Sequence, residues 1–155
     1  MLQSHSLEGE VERRNLQVLL VEDNEADVRL LREGFKHIKT PVDLTVAHDG
    51  EAALEFLGCK GKHAAAQLPD LILLDLNLPG QSGADVLQQV KTHPELRLIP
   101  VIVLTSSSAR NDVVSAYRRG ANSYLRKPTT LDGLYKLVDS LEQCWFNLAL
   151  IPSRV

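Results

Sequence analysis

The sequence predicts an α/β protein built on a doubly wound parallel sheet, and three observations carry that expectation. Leu16–Val21, Asp70–Asp75 and Pro100–Leu104 are short runs with almost no polar alternation, as in strands covered on both faces. Segments with apolar residues at helical spacing separate them. Most connections take only a few residues, which suits strand–helix–strand units with right-handed crossovers.

Length and composition bound the rest. One domain with a sizeable core is the simplest reading of 155 residues, of which 44% are apolar and 24% charged. A net charge of −3 gives no support to nucleic-acid binding. No apolar run reaches the ~20 residues that cross a bilayer, so no membrane is expected. Cys59 and Cys144 lack metal-ligand spacing and are read as free thiols of a cytoplasmic protein.

In chain order, residues 1–15 are polar and aperiodic, a loosely held arm before a domain over 16–150 and a tail over 151–155. Leu16–Val21 is a strand running into Glu22-Asp23-Asn24. Val28, Leu31, Phe35 and Ile38 then mark a helix. Leu44 and Val46 alternate with Thr45 in a second strand. Asp49 caps a helix over Glu51–Leu57 that stops at Gly58. Residues 59–67 form a loop before the Asp70 strand. Ala84, Val86, Leu87 and Val90 mark the next helix, ending near His93-Pro94. The strand Pro100–Leu104 leads into Thr105-Ser106-Ser107-Ser108. A helix through Val113, Val114, Ala116 and Tyr117 closes at Gly120. A brief fifth strand, Asn122–Leu125, precedes Arg126-Lys127-Pro128, and a final helix runs from Thr130 to about Leu148.

Parallel winding places all strand carboxyl ends on one edge, where open α/β sheets hold their ligands. Glu22-Asp23, Asp75 and Thr105 end strands there, and Lys127 follows a fourth. Carboxylates crowded at 4 Å repel by about 4 kcal/mol per pair at an effective dielectric near 20. A cation among them relieves this, and oxygen ligands suit Mg²⁺. A lysine and a hydroxyl nearby serve a transferring phosphoryl group, and a carboxylate can be its nucleophile. The expected chemistry is Mg²⁺-assisted phosphoryl transfer onto Asp75.

The succession VLLVEDN, DLILLDLNLPG, IPVIVLTSSS and YLRKP resembles the receiver domain of two-component response regulators over roughly Leu16 to Leu148. That resemblance implies a flavodoxin-like (βα)5 fold with a five-stranded parallel sheet. It implies that Asp75 accepts a phosphoryl group from a phosphohistidine of a sensor histidine kinase. Asp23 and Asp75 would ligate Mg²⁺, with Glu22 acting through water and Asn77 through its carbonyl. Lys127 would pair with the phosphate, its bond to Pro128 being cis. Thr105 would bond a phosphate oxygen, Tyr124 would change rotamer with it, and Ser106 would leave room. Ser107 occupies a position that tunes dephosphorylation in the family. The pair Glu22-Asp23 departs from the commoner Asp-Asp without removing a metal ligand. The long loop, the DLILLDLNLP wording, the SAY…N.Y..KP ending and a last helix with a Trp resemble regulators encoded beside cyanobacterial phytochromes. The implied partner is then a phytochrome kinase.

Each residue also has a bland reading. Glu22-Asp23 could be a solvated helix start, Thr105 a strand-end cap and Tyr124 a packed aromatic. His37, His48, His63 and His93 fit no ligand pattern. On the last helix, Leu134, Val138, Leu141, Trp145 and Leu148 form a core stripe, with Phe146 and Leu150 about 100° away. These two are either scattered exposed residues or, with Tyr124 and Trp145, a homodimer contact. Two other functions compete. An Mg-dependent aspartyl-nucleophile phosphatase would want a second acid where Asn77 stands. A pseudo-receiver binding module would lack Asp75, Asp23 or Lys127.

Overall fold

The computed structural model describes residues 15–58, 68–80 and 82–154. The expected loop over 59–67, with Cys59 and His63, and nearly all of the amino-terminal arm lie outside the described residues. Five strands and five α-helices alternate: β1 (Leu16–Val21), α1 (Glu25–Phe35), β2 (Val42–Ala47), α2 (Gly50–Phe56), β3 (Leu71–Leu74), α3 (Gly83–Thr92), β4 (Val101–Thr105), α4 (Arg110–Arg118), β5 (Ser123–Arg126) and α5 (Leu131–Leu141). The strands form one parallel sheet in the order β2-β1-β3-β4-β5. The chain leaves β1 toward β2 on one side and returns to β3 on the other, so the switch point lies between β1 and β3.

The unbroken apolar runs are explained by two cores, one on each face. Leu19, Val21, Ile72, Leu74, Val101 and Val103 point into the core beneath α2, α3 and α4. Their neighbours Val18, Leu20, Leu71, Leu73, Ile102 and Leu104 point into the core beneath α1 and α5. Strand side chains alternate between faces, so every position of a central strand must be apolar when both faces are covered. The edge strand β2 is covered less completely, and exposed Asp43 and Thr45 alternate with half-buried Leu44 and Val46.

Side-chain caps set four of the helix starts. Asn24, Asp49, Ser82 and Thr130 each accept an N–H three residues on, from Asp27, Ala52, Asp85 and Gly133. Gly58 and Gly120 end α2 and α4 with φ of 82° and 102°. Gly83, at the start of α3, lies so close to β3 that an added Cβ would come within 2.5 Å of the Leu76 Cα and nearer still to the Asp75 carbonyl oxygen. The loop after Asp75 is thereby pressed onto α3.

Two expectations are revised. The Lys127–Pro128 bond is trans, as are the other described peptide bonds. The last helix does reach Leu148, but it winds as a π-helix over Glu142–Leu148, and the Ala149 N–H bonds the Cys144 carbonyl five residues back. The wider turn rotates side chains away from their α-helical bearings. Leu134, Val138 and Leu141 are buried as the stripe requires, whereas Leu148 is 79% exposed. Phe146 turns inward instead, packing beside Trp145 with its ring centroid 6.1 Å from that of Phe35. Leu150 is 87% exposed.

Beyond Leu150 the chain folds back. Ile151 is buried, and Ser153 and Arg154 bond the carboxylate of Asp70 at 2.5 and 3.3 Å. That carboxylate also accepts the Gln17 N–H at 2.8 Å. This clamp closes the amino edge of the sheet, opposite the carboxyl ends.

Candidate functional site

Pairing of β1 with β3 brings Val21 opposite Leu74. The residues just beyond, Glu22 and Asp75, therefore emerge side by side at the switch point. Glu22, Asp23 and Asp75 offer carboxylate oxygens that all lie within 4.8 Å of one another. Glu22 and Asp75 are buried and Asp23 is exposed. The Asn24 and Asn77 N–H groups donate to Glu22 and Asp75, at 3.2 and 3.1 Å. Asn77 lies three residues beyond β3, and its backbone borders the acid cluster through that bond.

Lys127 reaches this cluster because β5 lies beyond β4 in the sheet, its N–H donating to the Thr105 carbonyl at 2.8 Å. Its ammonium meets Glu22 at 2.7 Å and Asp75 at 2.8 Å. It also meets Asp27, in the first turn of α1, at 2.8 Å. Three N–H donors are thus matched to three carboxylates. Asp27 is a site residue that sequence reasoning passed over. Its signal was a spacing of four from Asp23 into a helix, which looks the same as an ordinary acid in a first helical turn.

The electrostatics follow from burial and this one cation. Burial drives the Glu22 carboxyl up to about 7 against the opposing Lys127 bond. Burial would raise Asp75 too, but its bonds from Lys127 and the Asn77 N–H outweigh this and hold it below the usual aspartate value. Burial would lower Lys127, and its three carboxylate partners more than reverse that. The lysine stays charged and Asp75 stays ionised, the state a nucleophile needs.

Thr105 closes the arrangement. It is 0% exposed, and its hydroxyl has no hydrogen-bond partner among the described residues. An unsatisfied buried hydroxyl costs about 1–3 kcal/mol, and a ligand oxygen reaching this strand end would relieve that cost. Tyr124 is half-buried against the core beneath α2, α3 and α4, its OH donating to the Ser107 carbonyl at 2.8 Å. Trp145 and Phe146 lie on the last helix, partly buried against the core beneath α1 and α5, and the exposed Leu150 follows that helix. His37, His48 and His93 contact Tyr135, Glu25 and nearby backbone N–H groups respectively.

An all-oxygen donor set suits a hard divalent cation, and the lysine and hydroxyl beside it suit a phosphoryl group. A fold and site of this kind define a phosphate-handling α/β signalling protein. The chain belongs to the response regulator receiver domain family, whose model matches residues 18–139. It is 41% identical to the response regulator Rcp1 of Synechocystis sp., over 88% of this chain and 92% of that protein. The Mn²⁺-bound crystal form of Rcp1 superposes with a TM-score of 0.82, covering 88% of this chain and 99% of that one. The phosphorylated cyanobacterial phytochrome response regulator RcpA is 38% identical with a TM-score of 0.84, over 90% and 99% of the two chains. The bacteriophytochrome response regulator RtBRR is 35% identical with a TM-score of 0.71, over 92% and 85%.

Proposed function

We propose that this response regulator takes a phosphoryl group onto Asp75 from a phosphohistidine of a phytochrome-type sensor kinase. The observation that carries this is the pairing of an ionised, buried Asp75 with Lys127 at 2.8 Å, at the same sheet edge as a buried Thr105 hydroxyl with no partner among the described residues. An Asp75 oxygen attacks phosphorus and forms an O–P bond, while the P–N bond breaks and its electron pair leaves with the imidazole. Lys127 turns from carboxylate to phosphoryl oxygen and neutralises its charge. Thr105 donates its hydroxyl to another phosphoryl oxygen, and Tyr124 changes rotamer with it. Glu22, Asp23 and Asp75 would hold Mg²⁺, with the Asn77 carbonyl completing the protein's share. When bound, the ion supplies charge neutralisation between the acids and the phosphoryl group.

The phytochrome partner rests on the relatives: RcpA is described as a phytochrome response regulator and RtBRR as a bacteriophytochrome one. A homodimer is part of the same reading, supported by the exposed Leu148 and Leu150 at the end of the last helix. With Phe146 tucked against Phe35, Leu150 and the half-buried Trp145 and Tyr124 are left to make that contact. Light scattering at tens of micromolar tests it, and a monomer there removes it.

Incubation with Mg²⁺ and acetyl phosphate tests the main reading. One alkali- and hydroxylamine-labile, Asp75-dependent phosphoryl group per chain is expected, and none in Asp75→Asn. Rapid turnover of many phosphoesters, or labelling that survives Asp75→Asn, would overturn it.

A further inference from the structure

Asp27 stands apart from the other acids of the site. It bonds Lys127 at 2.8 Å, as closely as Asp75 does, but it does not belong to the cluster of ligand atoms formed by Glu22, Asp23 and Asp75. Its backbone is fixed, since its N–H donates to the Asn24 cap at 3.0 Å at the start of α1. It is one-third exposed, whereas the lysine it holds is 16% exposed.

We infer that Asp27 is a positioning residue, the retaining partner that keeps Lys127 aimed at the phosphoryl group throughout the reaction. This rests on the function proposed above. Lys127 has three N–H donors and here spends all three on carboxylates. Two of these, Glu22 and Asp75, are the groups that must turn toward a cation or become a phosphate ester. Each loses much of its charge for the lysine when it does so. Asp27 faces neither demand and keeps its bond. A lysine stem loses rotamer freedom when it is fixed, so an ammonium with one permanent anchor is already placed when the phosphoryl group arrives.

A bland alternative exists: an acid in the first turn of a helix favours the helix dipole. That role would change stability and leave phosphorylation chemistry alone. The two differ in what they do to the lysine.

Acetyl phosphate with Mg²⁺ separates them, because a small donor needs no docking surface; acetate leaves with the electron pair of the broken P–O bond. The wild-type chain must label on Asp75 first, and its failure would be a failure of the proposed function rather than of this inference. Given that labelling, Asp27→Ala is expected to slow it at least five-fold, with Asp27→Asn between the two. The Mg²⁺ dissociation constant from calorimetry should stay within two-fold. In a Lys127→Ala background, Asp27→Ala should slow labelling no further. The ¹H–¹⁵N signal of the Lys127 ammonium, protected while it is triply bonded, should broaden in Asp27→Asn. Labelling within two-fold of wild type, faster labelling, or an equal further loss in the Lys127→Ala background would each overturn the inference.

Discussion

Replacing Thr105 by Val separates what this hydroxyl does for the resting fold from what it does for phosphate. The side chain is 0% exposed and its oxygen has no partner among the described residues. Taking a hydroxyl out of water without a new bond costs about 1–3 kcal/mol in proteins. Valine fills nearly the same shape with a methyl group, so that cost disappears and no cavity forms. Thr105→Val should therefore leave the metal-free protein as stable as before or more stable by ~1 kcal/mol, read as a higher urea midpoint at unchanged slope. Phosphorylation should move the other way. A hydrogen bond to a charged group contributes about 1.5–3 kcal/mol, and each 1.4 kcal/mol is tenfold. Labelling by acetyl phosphate should then slow by roughly ten- to a hundred-fold. Destabilisation of the metal-free variant by more than ~1 kcal/mol would refute the reasoning, since it would mean that the hydroxyl has a partner in the resting state. Unchanged labelling would refute its phosphoryl role.

Other expectations follow from the same geometry. Glu22 in the folded chain titrates near 7 against 4.5 unfolded, so between those values the folded state binds more protons. Metal-free stability should then fall by ~2–3 kcal/mol as pH rises from about 4.5 to 7, beyond the decline seen in Glu22→Gln; equal pH slopes in the two proteins would contradict this. Gly83→Ala forces a Cβ onto the backbone of Asp75 and Leu76, and overpacking of this kind costs about 1–3 kcal/mol or more. Its thermal midpoint should drop and its labelling rate should fall with it, while a midpoint equal to wild type would show that α3 can shift. Asp70→Ala removes a 1%-exposed carboxylate that holds the Gln17 N–H, Ser153 and Arg154. A loss of about 2–4 kcal/mol is expected by denaturant melts, with labelling rates unchanged because the clamp lies at the far edge of the sheet.

Much of this molecule was legible before any coordinates. Central strands covered on both faces leave an unbroken apolar run, so β1, β3 and β4 announced themselves, and Asp75 and Thr105 stood at their ends. Cap residues such as Asp49 and stop glycines such as Gly58 act within a few residues, and local sequence shows them directly. The same locality explains what stayed hidden. Asp27 reads as an ordinary helix-start acid until β5 delivers Lys127 from a hundred residues away. The clamp of Asp70 on Ser153 and Arg154 spans more than eighty residues and has no periodic signature.

The last helix shows the boundary most sharply. Spacings of four, three, four and three assign a core stripe only if the winding is α-helical throughout. Packing of Phe146 against Phe35, and a wider turn from Glu142 onward, half-bury Phe146 and put Leu148 in solvent. By itself the sequence determined the layers, the strand ends and the acid that stands at the switch point, because burial and capping are enforced residue by residue. Only the tertiary structure decided which carboxylates share one lysine and which aromatic ring closes the core. Those choices depend on distances between segments that the chain order leaves free.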